Sequence, residues 1–198
     1  DVKIEDKIKD IIVYSDDITY VKNKEKIFTQ GATEVIVETK YNFKSKDTIL
    51  LRNEQILSSK HKSIVKDDDD NVYNFENFIY FVKEKILKGN NVSIITNFNK
   101  EKSDKFEFSS GIFDFKNKKF SGKDSKILMH KNIFQKEKEK FLELIEKTEI
   151  NKLVDEKVTF ENEPRLYGVS SNGDEDKTIV KKGIFTSCKK NNKCPAWS

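Results

Sequence analysis

The chain has 198 residues, enough for one domain with a buried core, and mixes 36% charged with 35% hydrophobic residues. An aromatic content of 11%, including fifteen Phe, and a net charge of only +4 argue against disorder despite that charge density. No basic run is interleaved with aromatics and no apolar run approaches membrane-spanning length, so neither a nucleic-acid partner nor a spanning helix is expected.

The chain opens on Asp1 without a methionine, and a processed or cut chain is therefore expected. Beyond the first ten residues the sequence repeats itself. Segments beginning at Ser15, Ser45, Phe75 and Phe108 share one grammar at a period of about 30 residues, within the range of stacked supersecondary units. Each opens with a short apolar strand: Ile18-Thr19-Tyr20, Ile49-Leu50-Leu51, Ile79-Tyr80-Phe81 and Phe113-Asp114-Phe115. A polar turn of Lys, Asn and Glu follows. A second strand comes next (Ile27-Phe28, Ile56-Leu57, Ile86-Leu87, Phe120), then a third (Val35-Ile36-Val37, Ile64-Val65, Val92-Ser93-Ile94, Ile127-Leu128).

The runs are short, rich in Ile, Val, Phe and Tyr, and bounded by turn residues, which is the signature of strands. Ile18 and Tyr20, Val35 and Val37, Phe106 and Phe108, and Phe113 and Phe115 each place two apolar side chains on one face. Pro164 and Pro195 are the only prolines, so nothing earlier interrupts sheet hydrogen bonding. Consecutive antiparallel strands are expected from Ile11 to Met129. The segment Gln135–Glu156 breaks this pattern: Phe141, Leu144, Ile145 and Leu153 fall at helical spacing among Glu and Lys, which predicts an amphipathic helix over an end of the sheet.

Residues 163–198 do not read as the end of a domain. Cys188, Cys194, Pro195 and the single Trp197 crowd the last positions. The two cysteines lie close enough in sequence for a local disulfide in an oxidising compartment. Zinc needs about four ligands, and neither His61 nor His130 is near the pair, so no metal is expected. The run Asp67–Asp70 lacks the spaced ligands and glycine of a calcium loop and is read as a solvated turn. No nucleophile elbow, phosphate loop or acid–base pair stands out, and neither enzymatic activity nor a cofactor is expected.

The repeat from Ile11 to Phe134 resembles the OstA-like β-jelly roll of the lipopolysaccharide transport proteins. The closing elements Gly183-Ile184-Phe185-Thr186-Ser187-Cys188 and Cys194-Pro195-Ala196-Trp197 resemble the passage joining that roll to the barrel of the outer-membrane assembly protein LptD. The resemblance implies an all-β, open, twisted jelly roll over 1–134, a helical connector over 135–162 and the start of a barrel over 163–198. It also implies lipopolysaccharide transport at the periplasmic face of the outer membrane.

In that reading acyl chains lie in an apolar trough, for which the candidates are Ile18, Tyr20, Val35, Val37, Ile79, Phe81, Ile94, Phe106, Phe108, Phe113 and Phe115. A periplasmic bridge protein would dock by strand addition on an N-terminal edge, placed at Ile11, Ile12, Val13 and Tyr14. A lipoprotein would plug the absent barrel. Family cysteines tether roll to barrel, which leaves the pairing of Cys188 and Cys194 open between a local bridge and a tether. Two other readings stand beside this one: a free-standing bridge protein of the same fold, and a structural β-solenoid or adhesion module with a filled core.

Overall fold

The computed structural model describes residues 2–96, 103–129 and 164–186. Within them the chain is all β apart from a single 3-10 turn, Lys22–Lys24. Fifteen strands form one continuous sheet: β1 Val2–Asp6, β2 Ile11–Val21, β3 Lys26–Val37, β4 Tyr41–Lys46, β5 Ile49–Leu51, β6 Ile56–Ser59, β7 Ser63–Lys66, β8 Val72–Phe75, β9 Asn77–Phe81, β10 Ile86–Ile95, β11 Lys105–Asp114, β12 Lys119–Leu128, β13 Arg165–Gly173, β14 Thr178–Lys181 and β15 Ile184–Thr186.

The sheet is folded along a line of corners, and this makes the roll. β3 pairs with β4 through its C-terminal part and with β5 through its N-terminal part; β10 likewise divides between β8 and β9. Two half-sheets result. One carries β1, β4, β7, β8 and β15, the other β5, β6, β9 and β14, and the long strands β2, β3, β10, β11, β12 and β13 pass through both. The corners are built from local chemistry. β2 bulges between Ser15 and Asp17, and the Asp16 carboxylate accepts the Ala32 amide at 2.8 Å. Opposite it Gly31 adopts φ +85, which only glycine takes without strain, and donates its amide to Asp47 Oδ1 at 2.8 Å.

The repeat grammar appears directly in the turns of the second half-sheet. Glu25, Gln55, Lys85 and Lys118 each close a hairpin in the left-handed region, with φ between 46 and 58. Successive turns are stitched together, because the carbonyls of Glu25, Gln55 and Lys85 accept the amides of Arg52, Val82 and Phe115, each at 2.9 Å. Each repeat thus satisfies backbone groups left open by the one before it.

Apolar side chains from both halves fill the space between them. Phe43 of β4 meets Phe78 and Tyr80 of β9 at centroid distances of 5.4 and 4.9 Å, although β4 and β9 do not pair. Tyr41, Tyr73, Tyr80 and Phe115 extend this aromatic layer toward the C-terminal repeats.

The expectation of antiparallel strands through Met129 holds, and the sheet extends beyond it at both ends. Of the stretch 163–198, expected as the start of a barrel, the described strands pair onto this sheet: β13 pairs with β12, from Phe120↔Gly173 to Leu128↔Arg165, and with β14 and β15. The edge placed at Ile11–Tyr14 is corrected. β1 pairs along it, from Val2↔Ser15 to Asp6↔Ile11, so these residues lie between β1 and β3, and Ile11 and Val13 are core. Among the described residues the outer positions at this end belong to β1 and to Asp17–Val21 of β2. The expected helix over Gln135–Glu156 and the cysteines Cys188 and Cys194 lie outside the described residues.

Candidate functional site

Opposite the corners the two half-sheets leave a seam, lined by turns from each side. The seam is bridged by ion pairs that recur once per repeat, always an acid from the first half and a base from the second. Asp6 accepts from Arg52 Nε and Nη2 at 3.0 and 2.8 Å. Glu38 pairs with Lys85 at 2.5 Å, and Asp69 with Lys118 at 3.2 Å. Exposure rises along the series. The Asp6 side chain is only 6% exposed, that of Glu38 33% and that of Asp69 53%.

The first bridge is embedded in a network. Arg52 Nη1 also donates to Glu25 Oε2 at 2.6 Å and to Tyr20 Oη at 3.0 Å, and Lys9 Nζ donates to the Arg52 carbonyl. Burial by itself raises the Asp6 carboxyl. The Arg52 guanidinium and the amides of Lys9 and Ile8 outweigh it and hold the group below its ordinary value.

At the third bridge the seam widens into a cavity of about 490 Å³, within the range of roughly 300–1,000 Å³ typical of small-ligand sites. Its floor is apolar and largely aromatic: Tyr41, Tyr73, Ile94, Phe106, Phe113, Phe115 and Phe120. Its rim is acidic. Asp67–Asp69, Asp114 and Asp174–Asp176 outnumber Lys118, Lys119 and Lys177. The negative rim is felt by the phenols beneath it. Burial, reinforced by Asp68, Glu38, Asp67 and Asp69, pushes Tyr41 up to about 12. Tyr73, almost wholly buried and donating from its hydroxyl to Asp67 Oδ2 at 2.9 Å, is likewise raised well above its ordinary value, chiefly by burial.

Most of the predicted trough residues do face the interior. Val35, Val37, Ile94, Phe108 and Phe113 are core, Ile18 packs against it, and Phe106 and Phe115 reach from it to the cavity floor. Three do not. On β9 the inward set is Phe78, Tyr80 and, just past the strand, Val82, so Ile79 and Phe81 point to the outer face. Tyr20 is 40% exposed at the margin of β2, where its hydroxyl donates to Glu25 Oε1 at 2.8 Å.

The missed residues fall into two groups. Tyr41, Tyr73 and Phe120 complete the floor, and strand alternation about Phe43 and Phe75 places the two tyrosines on the inner face. The bridging charges carry a signal of their own, since Asp6, Glu38 and Asp69 are spaced by the repeat, as are Arg52, Lys85 and Lys118. The run Asp67–Asp70, read as a solvated turn, does form the β7–β8 turn, where Asp67 accepts the amides of Asp69 and Asn71. It also supplies part of the rim. Among the described residues no group of His, Cys, Asp and Glu is arranged to hold a metal.

The class of protein defined by this geometry is an open antiparallel roll with an apolar interior that reaches the surface along one seam. No family model and no curated protein matches the sequence. Among solved structures the chain is similar to LptH from Pseudomonas aeruginosa, described as the LptA-homologous periplasmic component of the conserved lipopolysaccharide transport device. The likeness has a TM-score of 0.45 at 15% identity, over 56% of this chain and 80% of that one.

Proposed function

We propose that this chain is a lipid-conducting roll of lipopolysaccharide transport, which takes acyl chains between its half-sheets and passes them along the repeat axis. The observation that carries this reading is the aromatic interior opening to the surface at the seam cavity. A filled solenoid would close that space. Acyl chains suit such a floor because their binding is area burial, about 0.8 kcal/mol per buried CH₂, with no directional bonds to break as the chain moves. The strand repeat and its resemblance to the OstA-like rolls support the same reading.

The finer assignment, the periplasmic domain of the outer-membrane assembly protein, rests on the closing motif from Gly183 to Trp197. The bridge-protein reading is favoured by β13–β15, which extend the roll through Thr186. Blotting of fractionated source cells separates the two: a band far above 23.2 kDa in the outer membrane supports the first, a soluble periplasmic band near it the second. In either case a partner that docks by strand addition at the N-terminal end would meet β1 and Asp17–Val21.

Site-specific photocrosslinking tests the lipid reading. A photoreactive phenylalanine analogue at Phe120, on the cavity floor, is expected to capture lipopolysaccharide, and the same group at Ile79, on the outer face, is not. Equal capture at both positions, or none at Phe120, overturns the proposal.

A further inference from the structure

The outer faces of the two half-sheets differ. The first mixes apolar and charged residues, and its charges pair: Lys44 with Glu34 at 3.4 Å, and Glu107 with Lys105 and Lys126 at 2.6 and 2.8 Å. On the second, apolar side chains dominate. Leu51, Ile56, Phe81 and Ile86 are successive cross-strand partners on β5, β6, β9 and β10, and the pair Phe28↔Ile49 lies beside them. Ile79 and Ile112 flank Lys88 on the same face, and Ile112 is 44% exposed. The solvated face of an antiparallel sheet is ordinarily polar. All fifteen strands belong to one sheet, so no second layer of described strands covers this face. Its charges are also one-sided. Neither Lys26 nor Lys88 has a carboxylate partner among the described residues. Their ammonium groups lie instead over the rings of Phe28 and Phe81, 4.3 and 5.0 Å from the centroids. Lys119 and Lys123 share the face with Asp17 and Asp114, and the bordering turns add exposed Lys22, Lys24, Lys83 and Lys116 against Glu54 and Glu84.

We propose that the outer face of the second half-sheet rests on an anionic phospholipid surface, its Ile and Phe side chains entering the acyl boundary and its lysines meeting lipid phosphates. Lysine stems laid along apolar surface, with the ammonium free to reach outward, suit that boundary. Apolar area and basic charge then act together, which is how interfacial binding to anionic lipid gains its strength. A second copy fits less well, because an isologous contact would set this lysine-bearing face against itself. A saccharide-coated surface also fits less well. Apolar side chains at an interface enter only about 5–10 Å, so they need a thin head-group layer. The face lies outside the roll, so the inference stands or falls apart from what the interior carries: Ile79 meets phospholipid, and Phe120 lipopolysaccharide.

Flotation of the full chain with vesicles of phosphatidylcholine, and of the same lipid with about one third phosphatidylglycerol, tests it. Partition onto the anionic vesicles is expected to exceed that onto the neutral ones at least about ten-fold at low salt, and the ratio to narrow in high salt. K26Q/K88Q is expected to lose about ten-fold or more of the anionic partition, whereas K44Q/K66Q, on the outer face of the first half-sheet, leaves it unchanged. I56S/F81S is expected to weaken partition onto both vesicles; I112S, at an exposed position, carries the same test should that variant fold poorly. Absence of partition, equal partition onto both vesicles, or equal losses in the two lysine variants overturns the proposal. A dimer in sedimentation that I112S disperses, with no vesicle partition, overturns it as well and gives the face to a second copy.

Discussion

Phe108 lies flat against Gly122, and the contact is close enough to forbid any side chain there: a Cβ at Gly122 would sit 2.2 Å from Phe108 Cδ1. Gly89, Gly111 and Gly122 are cross-strand partners on β10, β11 and β12, so the three form a row over which Phe75, Phe113 and Phe108 fold. Gly122→Ala is expected to cost about 1–3 kcal/mol through overpacking, read as a lower urea midpoint. Gly183→Ala, whose nearest neighbours would be ordinary contacts at 3.4 Å or more, is expected to stay within about 0.5 kcal/mol. The Tyr80 hydroxyl makes the opposite case. It is fully buried with no partner among the described residues, and burial raises its ionisation far above the ordinary value. Leaving a hydroxyl unpaired in the interior costs about 1–3 kcal/mol, so Tyr80→Phe is expected to stabilise the roll by about 1 kcal/mol. A loss of stability on that substitution would reveal a partner for the hydroxyl.

At the scale of elements, the strength of the seam bridges follows their burial. Asp6 is nearly enclosed and takes two donors from Arg52, so Arg52→Ala is expected to cost about 2 kcal/mol at neutral pH by stranding a buried carboxylate. The pH dependence has a definite sign. The Asp6 carboxyl is held below its ordinary value in the fold, so its contribution is present above the unfolded value of about 3.9 and is lost as pH falls through the folded one. Wild type and Arg52→Ala should therefore converge in acid unfolding below about pH 4.

The same turns explain what the sequence made legible. The repeat was readable because each turn is polar and each flanking strand apolar, so boundaries fall where composition changes. Register was readable wherever a polar residue marks the outer face between two apolar ones, as at Ser93 between Val92 and Ile94 or Glu107 between Phe106 and Phe108. It failed on β9, where Phe78, Ile79, Tyr80, Phe81 and Val82 run without a polar marker, and a slip of one residue exchanges the two faces. β1 was missed for the converse reason, since Val-Lys-Ile-Glu-Asp offers little apolar area and is identified mainly by its pairing with β2. The cavity rim was illegible because Asp67–Asp69 and Asp174–Asp176 converge only once the sheet has folded.

For the whole molecule, the gradient of exposure along the seam makes the roll mechanically uneven. The N-terminal bridge is buried and networked, whereas Lys118 at the cavity meets Asp69 and Glu175 in solvent. Exposed ion pairs of this kind contribute little to stability because water and salt already screen them. The two carboxylates do hold the Lys118 ammonium above its ordinary value, so the link between half-sheets persists across the neutral range while remaining easy to open. A roll that must admit a chain sideways has to separate its turns somewhere, and the least costly place is the one where the turns are joined only through exposed charges. Lys118→Ala is therefore expected to leave the urea midpoint unchanged within error while accelerating uptake of a fluorescent alkyl reporter in stopped-flow mixing. Raised salt should accelerate wild type toward the variant and have less effect on the variant itself. A large fall in the midpoint, with no change in uptake rate, would mean that the third bridge holds the fold together and that chains enter elsewhere.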